Sequence, residues 1–194
     1  MVVICSGQMM VEQANDYGLE GECIPFNEAM VKGHPHPIIF SDEFNKERCS
    51  THGCTMEQYE EITLRWLKDL KGPLKLCFGY DVFCQLNCLT MMAYLSRRGY
   101  EGEVEILIAD EDKKVIIDSF RANPKPYAYW YEKLLIRREL VETGNRWLDK
   151  AVELWHKYLD KDQETVKGYA SVEELMKAYP EFGFTAELWT EWLQ

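Results

Sequence analysis

The chain has 194 residues, of which 46% are hydrophobic and 13% aromatic, which is enough to bury a substantial core. Its 33 acidic residues outnumber its 22 Lys and Arg residues, and the formal net charge of -11 repels phosphate backbones and anionic lipid surfaces. No apolar run approaches the roughly 18 residues that a membrane helix requires. We therefore expect neither a nucleic-acid partner nor a membrane partner.

The cysteines indicate a reducing compartment. There are seven of them, an odd number, and several lie in apolar runs where thiols pack as small hydrophobic groups, including Cys5, Cys77 and Cys88. The strand-like start at Val2 leaves no room for a signal peptide. These features together predict a cytoplasmic protein.

The first half of the chain alternates predicted strands and helices. In chain order these are a strand over residues 2–5, a helix over 9–17, a strand over 22–26, a helix over 55–70, a strand over 74–78 and a helix over 81–98. Between them, residues 33–37 hold a glycine and two prolines and are expected to be an irregular loop. Residues 41–45 show no clear pattern, and residues 49–54 look loop-like. The alternation predicts a parallel sheet with crossover helices.

The second half begins with two further predicted strands and then changes character. Residues 104–108 and 115–117 are expected to be strands, and they could pair antiparallel at the sheet edge. Beyond residue 123 four helices are predicted, over residues 127–140, 143–159, 171–179 and 185–193. The expected fold is a three-layer α/β domain of Rossmann-like type over residues 1–122, with a helical C-terminal subdomain over 123–194 packed on it.

Polar residues directly follow three of the predicted parallel strands. They are Ser6, Gly7 and Gln8 after the first strand, Asn27 and Glu28 after the second, and Asp81 and Gln85 after the third. The carboxyl ends of parallel strands lie at one edge of a sheet, where ligands bind in open α/β proteins. We therefore expect these side chains to converge on one site.

Within this set, Glu28 and Asp81 are the candidate catalytic groups if the protein is an enzyme. A carboxylate directly after a buried strand, as at Glu28, needs a partner or water. Asp81 follows a glycine and precedes a helix, so its simpler interpretation is a helix cap. Gly33 and His34 in the irregular loop are further candidate contacts, and His34 could join the two carboxylates around a divalent metal. A stiff surface loop explains these two residues equally well, so no metal site is predicted.

Two groups of cysteines have spacings that invite a chemical interpretation. Cys49, His52 and Cys54 crowd together, but they lack the second ligand pair of a zinc site. Cys84 and Cys88 lie four residues apart on a predicted helix with no neighbouring base, so they are interpreted as packed thiols.

An apolar strand that ends in an aromatic residue leads here to an aspartate, an aromatic residue, a glutamine and two leucines. These residues are Phe78, Asp81, Phe83, Gln85, Leu86 and Leu89. Upstream, a strand leads to a polar and acidic pair and a Gly-Pro loop, carried by Asn27, Glu28, Gly33 and Pro35. The set resembles the DUF1835 family of bacterial proteins over about residues 2–110 and, more weakly, over 137–160. At the family's Gly-Asp-Ser turn this chain differs, with Gln8 after Gly7 and the serine before it.

The resemblance implies where a site lies but not its reaction, because the family has no assigned activity. The leading hypothesis is a cytoplasmic protein that binds a small anionic or phosphorylated ligand at the carboxyl edge of its sheet. One alternative is a hydrolase or transferase that uses Glu28 and Asp81. Another is a regulatory protein whose acidic, tryptophan-rich C-terminal helices bind a protein partner. No cofactor follows from any of these patterns.

Overall fold

The computed structural model describes residues 1–30, 32–79, 81–125 and 127–132. In chain order the elements are β1 (Val2–Cys5), α1 (Gly7–Glu12), β2 (Glu22–Pro25), α2 (Asp42–His52), α3 (Met56–Ile62), a 3-10 turn (Leu64–Trp66), β3 (Leu74–Gly79), α4 (Val82–Arg97), β4 (Val104–Asp110), β5 (Val115–Ala122) and α5 (Tyr127–Tyr131). No helix in these described ranges is long and apolar enough to cross a bilayer.

The five strands form one sheet in the order β2-β1-β3-β4-β5. The pairs β1–β2, β1–β3 and β3–β4 are parallel, and β5 runs antiparallel to β4. The predicted α/β fold, with a mainly parallel sheet and an antiparallel edge pair, is confirmed. The last strand extends to Ala122, beyond the predicted residue 117.

Helices cover both faces of this sheet. On one face Val3 and Cys5 pack with Met10 of α1, and on the other Ile4 packs in the cluster that contains Met91 of α4. The helices that follow the neighbouring strands β1 and β3 therefore lie on opposite faces. Since the strand order also reverses between β1 and β3, their carboxyl ends form the switch-point crevice where open α/β sheets bind ligands.

Helix α2 begins in the segment that shows no clear pattern and continues to His52, so the loop-like interpretation of residues 49–54 is wrong. Ser41 caps the helix by accepting a hydrogen bond from the Phe44 amide at 3.2 Å, and Gly53 ends it with φ +64°. The buried positions of α2 are Phe44, Asn45 and Arg48. Because two of these three are polar, the inward face has no apolar periodicity for sequence reasoning to detect.

The long helix predicted over residues 55–70 is interrupted after Ile62, and Asn27 explains why. The Asn27 side-chain amide donates to the Ile62 carbonyl at 3.0 Å, and the buried Thr63 hydroxyl donates to the Asn27 carbonyl at 3.3 Å. These contacts engage groups at the point where the helix would continue, and the chain turns into the 3-10 segment instead. The first helix is also shorter than predicted: it ends at Glu12, and hydrogen-bonded turns lead on to Gly18.

Of the helical C-terminal subdomain, only α5 falls within the described residues. Its buried Tyr127 and Tyr131 pack in the same core cluster as α4, and the Tyr131 hydroxyl donates to the His36 carbonyl at 2.9 Å. The three helices predicted beyond residue 142 lie outside the described residues. The alternative hypothesis that they bind a protein partner stays a prediction.

Candidate functional site at the switch point

Four side chains meet where β1, β3 and β4 end, and we call Ser6, Asp81, Cys84 and Glu111 the edge cluster. The Ser6 hydroxyl lies 3.0 Å from the Cys84 sulfur, directly across the crevice between β1 and β3. The Cys84 thiol also donates to Glu111 Oε1 at 3.4 Å, which brings in the residue after β4. Three neighbouring strand ends therefore contribute to one contiguous group.

Local structure at the start of α4 sets the geometry of this cluster. Asp81 is the N-cap residue, and its carboxylate accepts a hydrogen bond from the Cys84 amide at 3.1 Å. The predicted cap is confirmed, and it places the Asp81 and Cys84 side chains together. At Gly79, an added Cβ would lie 2.9 Å from Asp81 Oδ2, 3.0 Å from Glu111 Oε1 and 3.1 Å from Cys84 Sγ. These side chains therefore converge over a residue that has no side chain of its own.

The electrostatics of the edge cluster disfavour additional negative charge. Burial raises the pKa of Cys84, which is only 2% exposed, and the Asp81 charge raises it further, although the Ser6 hydrogen bond lowers it. Partial burial likewise raises the pKa of Glu111, as do the charges of Asp81 and Asp112, against a lowering by the Cys84 hydrogen bond. Among the described residues, no ion pair within 4.0 Å involves Asp81 or Glu111.

A second polar group follows β2, and we call Glu28, Arg48, His52 and Tyr59 the paired cluster. Both charged side chains of the Glu28–Arg48 ion pair are fully buried, with Arg48 Nη2 2.7 Å from Glu28 Oε2. His52 Nε2 lies 3.2 Å from the same oxygen, and the Tyr59 hydroxyl donates to the other oxygen. The Ala29 amide adds a further donor at 3.0 Å. The partner that the sequence requires for Glu28 is thus Arg48.

Hydrogen bonding keeps the Glu28 carboxylate ionised despite its burial. Burial alone would raise its pKa, but hydrogen bonds from His52, Arg48 and Tyr59, together with the Arg48 charge, lower it below the ordinary value. Burial and the Glu28 charge raise the pKa of Tyr59, so this hydroxyl stays protonated as a donor. Arg48 also donates to the carbonyls of Lys32 at 2.6 Å and Ala29 at 2.9 Å, which fixes the loop after β2.

The other residues predicted for the site divide into near and distant ones. Gly7 and Asn27 adjoin each other beside the crevice, since an added Cβ on Gly7 would lie 3.8 Å from the Asn27 Oδ1 atom. Gln85 donates to the Gly79 carbonyl at 2.7 Å and so ties α4 to the end of β3. In the described contacts, none joins Glu28 to Asp81, although both follow parallel strands.

Three predicted contacts make no described contact with the edge cluster. Gln8 is exposed and donates to Glu12 of its own helix at 3.2 Å. Gly33 has φ +72° and packs so closely on Thr51 of α2 that a side chain would collide with it. His34 is exposed on the same irregular loop.

Sequence reasoning missed Cys84 and Glu111 as members of the site. The sequence predicts that Cys84 is a packed thiol. However, Cys84 lies three residues after a capping aspartate, and its amide donates to that carboxylate, so the thiol and the carboxylate are neighbours. Glu111 lies in the turn between the two strands of the antiparallel edge pair, and the sequence predicts no role for it. The available signal is the predicted helix between the strands at 74–78 and 104–108, because strands joined by a helix usually pair in parallel, as these do, which places the residue after β4 at the same sheet edge as Asp81.

Fold and site together define an open, mainly parallel α/β protein with a polar crevice at its switch point. The comparisons with family models, curated proteins and solved structures give no match to the chain. The resemblance to the DUF1835 family therefore stays a prediction.

Proposed function

We propose that the protein binds a small ligand in the crevice between the carboxyl ends of β1 and β3. The observation that carries the proposal is the contact between Ser6 and Cys84 across the switch point, with Asp81 and Glu111 beside it. Strand ends at a switch point supply polar groups to a cleft that neither helix covers. Gly7 and Asn27 extend the same edge toward β2.

The ligand class expected from the sequence is anionic or phosphorylated, and the charges at the crevice set a condition on it. Asp81 and Glu111 carry no described ion-pair partner, so an anion that approaches them alone is repelled. Such a ligand binds favourably only when a cation lies between it and the carboxylates. A ligand screen is therefore informative only when it is run both with and without a divalent cation.

A hydrolase or transferase that uses Glu28 and Asp81 is the weaker proposal. The Glu28 carboxylate already accepts hydrogen bonds from Arg48, Tyr59 and the Ala29 amide, and its side chain is fully buried. A general base must reach a proton on the substrate, and this carboxylate is enclosed by its own donors. Asp81 is the more accessible of the two carboxylates.

Thermal shift with a panel of nucleotides and sugar phosphates, each with and without Mg²⁺ or Zn²⁺, tests the leading proposal. A ligand at about 100 times its Kd should raise the melting temperature of the wild type by roughly 5–10 °C. Asp81→Asn should lose most of this shift. Glu103→Gln changes the net charge equally but lies at the opposite edge of the sheet, so it should keep the shift.

Two results would contradict the proposal. One is that no panel member raises the melting temperature of the wild type under any of the cation conditions. The other is that a ligand raises the melting temperatures of wild type, Asp81→Asn and Glu103→Gln by the same amount, because the ligand would then bind elsewhere.

A further inference from the structure

Three potential metal ligands converge in the edge cluster. One carboxylate oxygen of Asp81, the Cys84 sulfur and one carboxylate oxygen of Glu111 all lie within 4.8 Å of one another. The sulfur and Glu111 Oε1 are 3.4 Å apart. Two ligands of a tetrahedral Zn²⁺ with ordinary Zn–S and Zn–O bonds are separated by about 3.6 Å, so this pair is already at a coordinating separation.

The space among these atoms is shaped by the absence of a side chain at Gly79. The position of an added Cβ is 2.9, 3.0 and 3.1 Å from the three ligand atoms, so these atoms gather on the open side of the Gly79 backbone. The ligand atoms of a tetrahedral Zn²⁺ are about 3.4–3.6 Å apart, so pairs of atoms separated by as much as 4.8 Å would need to approach each other by about 1 Å. Rotations of the Asp81 and Glu111 side chains, neither of which is buried, can supply this movement.

Charge gives an independent reason for a cation here. Two carboxylates face each other at a sheet edge, and the described ion pairs include none that neutralises either of them. The nearby Asp110 does have a cation, because Lys113 Nζ lies 3.0 Å from its carboxylate. Lys113 thus neutralises Asp110 within its own turn, whereas none of the described residues forms an ion pair with Asp81 or Glu111.

We propose that Asp81, Cys84 and Glu111 bind a thiophilic divalent cation of the zinc class, with a fourth coordination position open to the crevice. One sulfur and two oxygens suit Zn²⁺ and not Mg²⁺, which takes oxygen ligands almost exclusively. Three protein ligands and one open position are the arrangement of zinc sites that bind a further ligand. The Ser6 hydroxyl, 3.0 Å from the sulfur, would donate a hydrogen bond to the thiolate and orient it.

Coordination replaces the S–H bond of Cys84 by a sulfur–metal bond, and the released proton goes to the buffer. With the thiolate counted, three negative charges then surround two positive ones, so the net charge of the site becomes less negative, changing from -2 to -1. The open position would bind an anionic group of the ligand directly. In this role the cation site rests on the proposed function.

Titration of the reduced full-length protein with Co²⁺ in the absence of oxygen tests the cation site. Cobalt in a site with a cysteine ligand gives an intense thiolate-to-cobalt charge-transfer band in the near ultraviolet, which carboxylate ligands alone do not give. The wild type should show a band that saturates at one Co²⁺ per chain and disappears when Zn²⁺ is added. Cys84→Ser should abolish it.

Controls separate this site from the other thiols and from misfolding. Cys54→Ser removes a half-exposed thiol beside Cys49, and Cys88→Ser removes a buried thiol one turn along α4, so both should keep the band. Glu111→Gln alters an exposed side chain and should keep the band while weakening Co²⁺ binding at least about tenfold. This variant keeps the test decisive if Cys84→Ser does not fold.

The outcomes also separate the two proposals. No band in the wild type, a band that survives in folded Cys84→Ser, or unchanged Co²⁺ affinity in Glu111→Gln would overturn the cation site. If the band behaves as expected and no small ligand shifts the melting temperature, the ligand proposal fails and the cation site stands. If a ligand shifts the melting temperature in the presence of a chelator and no band forms, the cation site fails and ligand binding stands.

Discussion

The paired cluster and the edge cluster both follow parallel strands of one sheet, but only the paired cluster contains an ion pair among the described residues. In the paired cluster, Glu28 and Arg48 are fully buried 2.7 Å apart, and each makes further hydrogen bonds. In the edge cluster, Asp81 and Glu111 share a buried thiol without a described ion-pair partner. The charges of the first group are paired within the described residues, whereas the described residues hold no ion-pair partner for the two carboxylates of the second.

This difference separates a carboxylate that stabilises the fold from two carboxylates that are available to the proposed ligand. A buried ion pair whose lone pairs and protons are all used holds neighbouring segments together, and removal of one partner is costly. Two accessible carboxylates that face each other repel, and the lone pairs that make no hydrogen bond within the protein remain available to a ligand. The predictions below test this division, beginning with the largest effect.

Arg48→Met should destabilise the protein by about 3–5 kcal/mol, because it leaves the Glu28 carboxylate buried without its cation. Urea unfolding followed by circular dichroism measures the loss. Arg65→Met is the matched control, since Arg65 forms an exposed pair with Glu61 at 3.7 Å and lies 4.0 Å over the Trp66 ring, and loss of these two contacts should cost no more than about 1–2 kcal/mol. Equal losses in the two variants would show that the paired cluster is not a structural centre.

Acid should weaken the paired cluster by a smaller amount, because protonation of Glu28 leaves its neighbours in place. Its folded pKa is lowered, so its stabilising contribution is complete above the unfolded carboxyl pKa and is lost as the pH falls through the folded value. The groups that face this carboxylate are Arg48, His52, Tyr59 and Cys49.

The measurement is urea unfolding of wild type and Glu28→Gln between pH 7 and the acid limit of folding, a range set by ordinary carboxyl pKa values of about 4. The stability difference between the two proteins should be largest at neutral pH and should shrink as the pH falls. A stability difference that stays constant with pH would mean that the pKa of Glu28 is the same in the folded and unfolded states, which would contradict the prediction. The many other carboxylates of the chain titrate in both proteins and cancel in the difference.

The smallest expected change concerns Asp81, where capping and ligand binding can be separated. Asp81→Ala should lose about 1 kcal/mol of stability, because the Cys84 amide loses its acceptor, whereas Asp81→Asn should lose almost none, since asparagine caps equally well. Both variants should weaken Co²⁺ binding. If Asp81→Asn bound Co²⁺ like the wild type in a parallel titration, Asp81 would be a cap alone.

The sheet could be predicted because its strands are short apolar runs between turn residues, as at Val2–Cys5 and Leu74–Gly79. Helix α2 could not, because its inward face holds Asn45 and Arg48, and the hydrophobic pattern that identifies a helix is absent there. Likewise, the break after Ile62 depends on Asn27, a residue 35 positions away in the sequence. Such a contact leaves no trace in the local pattern of residues 55–70.

Which residues of the site could be predicted depended on knowing the order and direction of the strands. Ser6 and Asp81 were predicted to share an edge, and the structure places them at adjoining strand ends. Glu28 was predicted at the same edge, but an arginine on an unpredicted helix holds its carboxylate. Glu111 was omitted because the direction of β4 relative to β3 was not known from its apolar alternation, which parallel and antiparallel strands share.

The buried amide of Asn87 connects the two clusters through α4. Its nitrogen donates to the Glu28 carbonyl at 2.6 Å, and its oxygen accepts from the Met30 amide at 3.0 Å. The helix that begins at Asp81 is therefore anchored in its middle to the loop after β2 and cannot slide along its axis without breaking both bonds. A ligand would meet a crevice whose wall is already in position, so little conformational entropy is lost when it associates.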